Sequence, residues 1–104
     1  DQNVPILALG GRGVISVLSN LAPELVCQMT DACLAQDYPR AAKLQNESMD
    51  LIDALFSEVN PIPVKKALNL MGREVGTLRS PLTEMTDANA AVLADAMKAY
   101  GILD

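Results

Sequence analysis

A chain of 104 residues, half of them apolar and one-fifth charged, is the size of one globular domain and too apolar for a disordered tail. The longest apolar runs, such as Val4-Pro5-Ile6-Leu7-Ala8-Leu9, fall far short of the roughly 20 residues that span a bilayer, so no transmembrane helix is expected. A formal net charge of −5 with only eight lysines and arginines argues against binding to nucleic acid or an anionic membrane, which requires clustered cations.

The opening Asp1-Gln2-Asn3 has neither the basic start of a secretory signal nor an initiator Met, and the chain reads as cut from something longer. Cys27 and Cys33 fall on one predicted helix, about 9 Å apart along its axis at about 1.5 Å per residue. That exceeds the reach of a disulfide, and both cysteines are expected as core-facing hydrophobes in a reducing, cytoplasmic setting. With no histidine in the chain, no zinc site is expected.

In chain order, Asn3 to Leu9 reads as a brief helix closed by glycine at Gly10-Gly11. Gly13-Val14-Ile15-Ser16-Val17 is β-branched and apolar on both faces, which predicts a strand of a parallel sheet covered by helices. Pro23 then opens a helix to about Ala35, with Leu25, Val26, Met29 and Cys33 on its buried stripe. Asp37 is placed to cap one long helix over about Tyr38 to Ser57, on which Ala41, Leu44, Leu51, Ile52 and Leu55 recur near the helical period. Asn60 is expected to cap a helix that opens with Pro61-Ile62-Pro63 and stops at Gly72. The last helix is expected from Thr86 to Tyr100, with Met85 stapled onto its first turn and Gly101 beyond its end. A lone strand among five helices leaves ladder groups unpaired. Either identical copies or the rest of a larger barrel must supply its neighbours.

Gly10-Gly11-Arg12-Gly13 superficially suggests a phosphate loop. Such loops follow a strand and open a helix, whereas this one follows a helix and opens a strand, so a tight turn with φ > 0 positions is the better reading. The end of the strand is the more promising place for a site, because parallel barrels build their chemistry there. Ser16, Ser19 and Asn20 lie at that end, and their ordinary role is to satisfy loop backbone groups. Lys43, Lys65, Lys66 and Lys98 all fall on predicted helices away from the strand. They read as solvated positions, with Asp53 and Glu58 as possible partners, and none as a Schiff-base nucleophile. The acidic residues Asp31, Asp37, Glu47, Asp50, Asp53, Glu58, Glu84 and Asp87 are scattered over helix ends and faces without general acid/base spacing.

Three stretches carry a resemblance: Leu7 to Val17 (LALGGRGVISV) with Asn20 and Pro23; Asn60-Pro61-Ile62-Pro63-Val64-Lys65 with Ala67, Leu68 and Gly72; and Leu78-Arg79-Ser80-Pro81-Leu82. In this order and spacing the chain resembles the dihydrodipicolinate synthase family over nearly its whole length. The resemblance implies an α/β fold class. The chain would be the C-terminal part of a (β/α)8 barrel, with Gly13–Val17 as its last strand, followed by a helical extension, so that the segment itself is mostly α. The implied division is residues 1–36 as the end of the barrel and 37–104 as the extension. It further implies a cytoplasmic, homotetrameric class I aldolase-type lyase, needing no cofactor, that condenses pyruvate with L-aspartate semialdehyde through a lysine Schiff base in lysine and diaminopimelate biosynthesis. On this mapping Ile15 matches the family's pyruvate-contacting isoleucine and Asp1 the end of a loop after strand seven. The Schiff-base lysine, the proton-relay tyrosines and threonine, and the carboxylate-binding threonines and arginine find no counterpart here, so this segment alone would be inactive. Sister aldolases of the N-acetylneuraminate lyase type, and a non-catalytic helical module associating through apolar surface, are the alternatives.

Overall fold

The computed structural model describes residues 1–104 and is helical throughout, in two compact units, Asp1–Met49 and Asp50–Asp104. In the first unit, α1 (Asn3–Ala8), a 3-10 turn (Leu18–Asn20), α2 (Pro23–Leu34) and α3 (Tyr38–Glu47) pack on one another. Leu7 of α1, Ala32 and Cys33 of α2 and Ala41 of α3 form the buried centre, with Val4 and Val14 packed against it. α2 has proline at its start, as expected, and buries Leu25, Val26, Met29 and Cys33. The Asp37 carboxylate caps α3 by accepting from the Arg40 amide at 3.2 Å. α1 and α3 are also tied by polar contacts: Gln45 Oε1 accepts from the Val4 amide at 2.9 Å, and Gln45 Nε2 donates to the Asp1 carbonyl at 2.9 Å.

The structure departs from the sequence expectations in several places. Gly13–Val17 forms no ladder within this chain: no backbone hydrogen bond engages Arg12 to Ile15, because a β-ladder needs a partner and every other element here is a helix. The helix expected over Tyr38 to Ser57 breaks at Ser48 into α3 and α4 (Met49–Leu55). There the fully buried Ser48 hydroxyl turns back onto the carbonyls of Leu44 and Gln45, at 3.0 and 2.9 Å, and competes with the backbone for those acceptors. Finally, Cys27 is exposed on α2 while Cys33 is buried, so only one of the two cysteines faces the core. Both are free.

In the second unit, Leu51, Ile52, Ala54 and Leu55 of α4 are buried. α5 (Ile62–Leu70), which buries Ile62, Pro63, Val64 and Ala67, packs against α6 (Asp87–Tyr100), which buries Leu93 and Met97. Pro61, not Asn60, is the residue that precedes α5; its ψ of 22° leaves the first turn to start at Ile62, one residue too late for the Asn60 side chain to cap it. Thr86 caps α6, Met85 before it is buried, and Gly101 closes it with φ 83°. Between α5 and α6 the segment Gly72–Ser80 is strapped to α5: Asn69 accepts from the Val75 amide and donates to the Gly76 carbonyl, and Lys65 Nζ donates to the Thr77 carbonyl at 2.6 Å. No helix is long and apolar enough to cross a membrane.

Candidate functional site

The segment leading away from α1 begins in the glycine turn. Gly10 has φ 102°, a conformation that a side chain disfavours, and the Gly11 amide donates back to the Ile6 carbonyl at 3.0 Å. Turning, rather than phosphate binding, accounts for both glycines.

From there residues alternate. Val14 packs towards the α1–α2–α3 centre, Ser16 lines the same side of the segment as Val14 along the groove beside α2, and Ile15 between them is fully exposed. That two-residue alternation is the side-chain pattern of extended backbone. The helices therefore cover one face of the segment, and Ile15 occupies the face with nothing on it. The groove, about 320 Å³, is lined by Val14, Ser16, Ser19, Val26, Cys27 and Asp31.

The polar residues at the end of this segment serve the backbone. Ser19 Oγ donates to the Ser16 carbonyl at 2.8 Å, the Ser19 amide donates to Ser16 Oγ at 3.0 Å, and Asn20 Nδ2 donates to the Val17 carbonyl at 3.0 Å. Together they wind the chain into the 3-10 turn that delivers Pro23 to the start of α2.

The free, exposed thiol of Cys27 lines the groove beside this segment. Burial pushes the Cys33 thiol above its ordinary pKa. The lysines lie on α3, α5 and α6. Lys43 pairs with Glu47 at 3.8 Å on the α3 surface, Lys65 holds the strap after α5, and Lys98 donates to the Asp104 carbonyl, so neither Asp53 nor Glu58 serves as their partner. Asp50, Asp53 and Asp95 line a shallow apolar-floored groove of the second unit. Glu58 is engaged elsewhere: its Oε1 accepts from the Thr86 amide and hydroxyl and from Asn89 Nδ2, at 3.0, 2.8 and 2.8 Å. Sequence reasoning missed this contact, and the signal was faint: Thr86-x-x-Asn89 has the spacing of a capping box without its carboxylate.

Residues 1–100 match the model of the dihydrodipicolinate synthetase family, and the chain belongs to that family. It is 58% identical to the 4-hydroxy-tetrahydrodipicolinate synthase of Lachnoclostridium phytofermentans over 99% of this chain and 35% of the relative. Among solved structures, the dihydrodipicolinate synthase of Aquifex aeolicus superposes with a TM-score of 0.94 at 40% identity, covering 97% of this chain and 34% of that one. The chloride-inhibited enzyme of Acinetobacter baumannii, complexed with pyruvate, gives 0.92 at 37% identity, covering 98% and 35%. The chain thus spans about a third of the length of these relatives.

Proposed function

We propose that this chain is the C-terminal part of a 4-hydroxy-tetrahydrodipicolinate synthase, a pyruvate-dependent aldolase-type lyase of lysine and diaminopimelate biosynthesis. The observation that carries this reading is the segment Gly13–Val17. Its Val14 face is held by helices, and its Ile15 face is bare, as the eighth strand of a (β/α)8 barrel would be with the other strands outside the described chain. In that arrangement Ile15 faces the barrel interior, near the strand end where such enzymes bind substrate, and contacts pyruvate. The pyruvate complex of the Acinetobacter baumannii relative supports the choice of ligand. Residues 1–36 then complete the barrel and residues 37–104 form the helical extension.

The chemistry belongs to residues outside this chain. A lysine amine adds to the pyruvate carbonyl and water leaves, giving an imine. Loss of a methyl proton makes the enamine, whose carbon attacks the aldehyde of L-aspartate semialdehyde. This route requires no cofactor. What residues 1–104 supply is an apolar wall, Ile15, that packs against pyruvate without competing for its carbonyl or carboxylate. The enzyme works as a homotetramer in the cytoplasm, and the 104-residue segment alone is inactive.

Borohydride trapping with pyruvate tests the proposal. The full-length protein should give a reduced adduct on a lysine outside this chain, and the isolated segment should give none. An adduct on Lys43, Lys65, Lys66 or Lys98 would overturn it. Ile15→Ala in the full-length protein should weaken pyruvate binding about tenfold, the effect of trimming a hydrophobic contact in a substrate pocket.

A further inference from the structure

The start of α6 is capped in an unusual way. In a local capping box the N-cap Ser or Thr accepts from the amide three residues on, and a Glu or Gln at that third position accepts from the N-cap amide. Thr86 performs the first half: its Oγ1 accepts from the Asn89 amide at 3.4 Å. The second half is missing locally, because the third residue is Asn89 and its side chain donates instead of accepting. The Thr86 amide donates to Glu58 Oε1 at 3.0 Å, across 28 residues, from the connection between α4 and α5. The same oxygen also takes the Thr86 hydroxyl and the Asn89 Nδ2 hydrogen, both at 2.8 Å. Its negative charge sits at the helix end where the peptide dipoles are positive.

We infer that Glu58 completes the α6 capping box over long range, so that the first turn of α6 is fully capped only once the connection between α4 and α5 is in place. A local capping box forms within an isolated helix; this one cannot. The two steps reinforce each other, since the helix so capped is also the one that inserts the fully buried Leu93 and Met97 into the second unit's core. Capping and docking become one event, and α6 does not fray at its start independently of the residues around Glu58. The inference concerns only this unit and stands whether or not the enzymatic assignment holds.

Hydrogen exchange by mass spectrometry on the full-length protein tests it, read at the amides of Asn89 to Leu93 with those of α2 as internal reference. Glu58→Ala should speed exchange at the start of α6 about fivefold, the equivalent of losing one cap, and leave α2 unchanged. Glu58→Gln, which keeps a carbonyl acceptor but no charge, should fall in between. The decisive variant is Glu58→Ala with Asn89→Glu, which returns a carboxylate to the third position of the helix. Slow exchange should be restored to within about twofold of the parent, the tolerance expected when one cap replaces another of similar strength. The inference is overturned if Glu58→Ala leaves α6 exchange unchanged, if both Glu58 variants accelerate α2 and α6 alike, or if the Asn89→Glu variant fails to rescue.

Discussion

Placing a methyl group on Gly11 tests how the turn after α1 is built. A Cβ there would lie 2.9 Å from the Ile6 carbonyl oxygen and 3.2 Å from both the Ile6 carbonyl carbon and Cγ2. The oxygen cannot retreat freely, since it accepts from the Leu9 amide at 3.2 Å and from Gly11's own amide at 3.0 Å. Overpacking of this kind costs about 1–3 kcal/mol, while the stiffer unfolded chain of an alanine variant returns about 0.4–1 kcal/mol. Gly11→Ala should therefore destabilise the protein by about 1–2 kcal/mol in urea melts, with the midpoint lowered and the slope unchanged. The mechanism separates from that at Gly10, where nothing lies within 4 Å of an added Cβ and the obstacle is the φ of 102°. It also predicts a specific failure of rescue. Removing the Ile6 side chain relieves the Cγ2 contact but not the nearer carbonyl, so Ile6→Ala should recover less than about 0.5 kcal/mol of the Gly11→Ala loss. A Gly11→Ala variant within about 0.5 kcal/mol of the parent, or one fully restored by Ile6→Ala, would refute the reasoning.

Other consequences are more direct. Ser48→Ala removes a buried hydroxyl bonded to the Leu44 and Gln45 carbonyls, and should cost about 1 kcal/mol in the same melts. Leu93→Ala empties a fully buried position of α6 and should cost about 2–5 kcal/mol. The Glu58 carboxyl is held below its ordinary pKa by the Asn89 side chain, then by the Thr86 hydroxyl and amide. Its folded value lies below its unfolded one, so its contribution is present above the unfolded pKa and lost as pH falls through the folded one. The protection factor at the start of α6, with the intrinsic exchange rate at each pH divided out, should fall on that acid descent in the parent and not in Glu58→Gln. Cys33, buried and with a raised pKa, should resist iodoacetamide at neutral pH until the protein is denatured, as peptide mapping would show.

Local physics was legible in the sequence wherever a side chain acts on its own neighbourhood. Pro23 at a helix start, Asp37 as a cap, Gly10 and Gly101 as stops, and the apolar stripe of α2 all follow from backbone chemistry within a few residues. The serines and Asn20 after Ile15 bind loop backbone groups, as their residue types imply. Motif spacing, by contrast, identified the family and singled out Ile15, which no periodicity could have done.

Long-range geometry decided the rest. A β-branched run such as Gly13–Val17 favours extended backbone, yet Val17 already turns into the 3-10 helix at φ −71° and ψ −45°, and the hydrogen-bonded partners that make a strand belong to other strands. The helical period runs straight through Ser48, and only the buried setting of its hydroxyl, turned onto the preceding carbonyls, breaks the helix. Cys27 and Cys33 are chemically equivalent on paper; which one meets α1 and α3 depends on how α2 is rotated against them. Glu58 carries no local sign of its task, because its partners lie 28 and 31 residues away. Sequence fixes what each residue does to its own backbone, whereas contacts between distant residues arise only once the helices have packed.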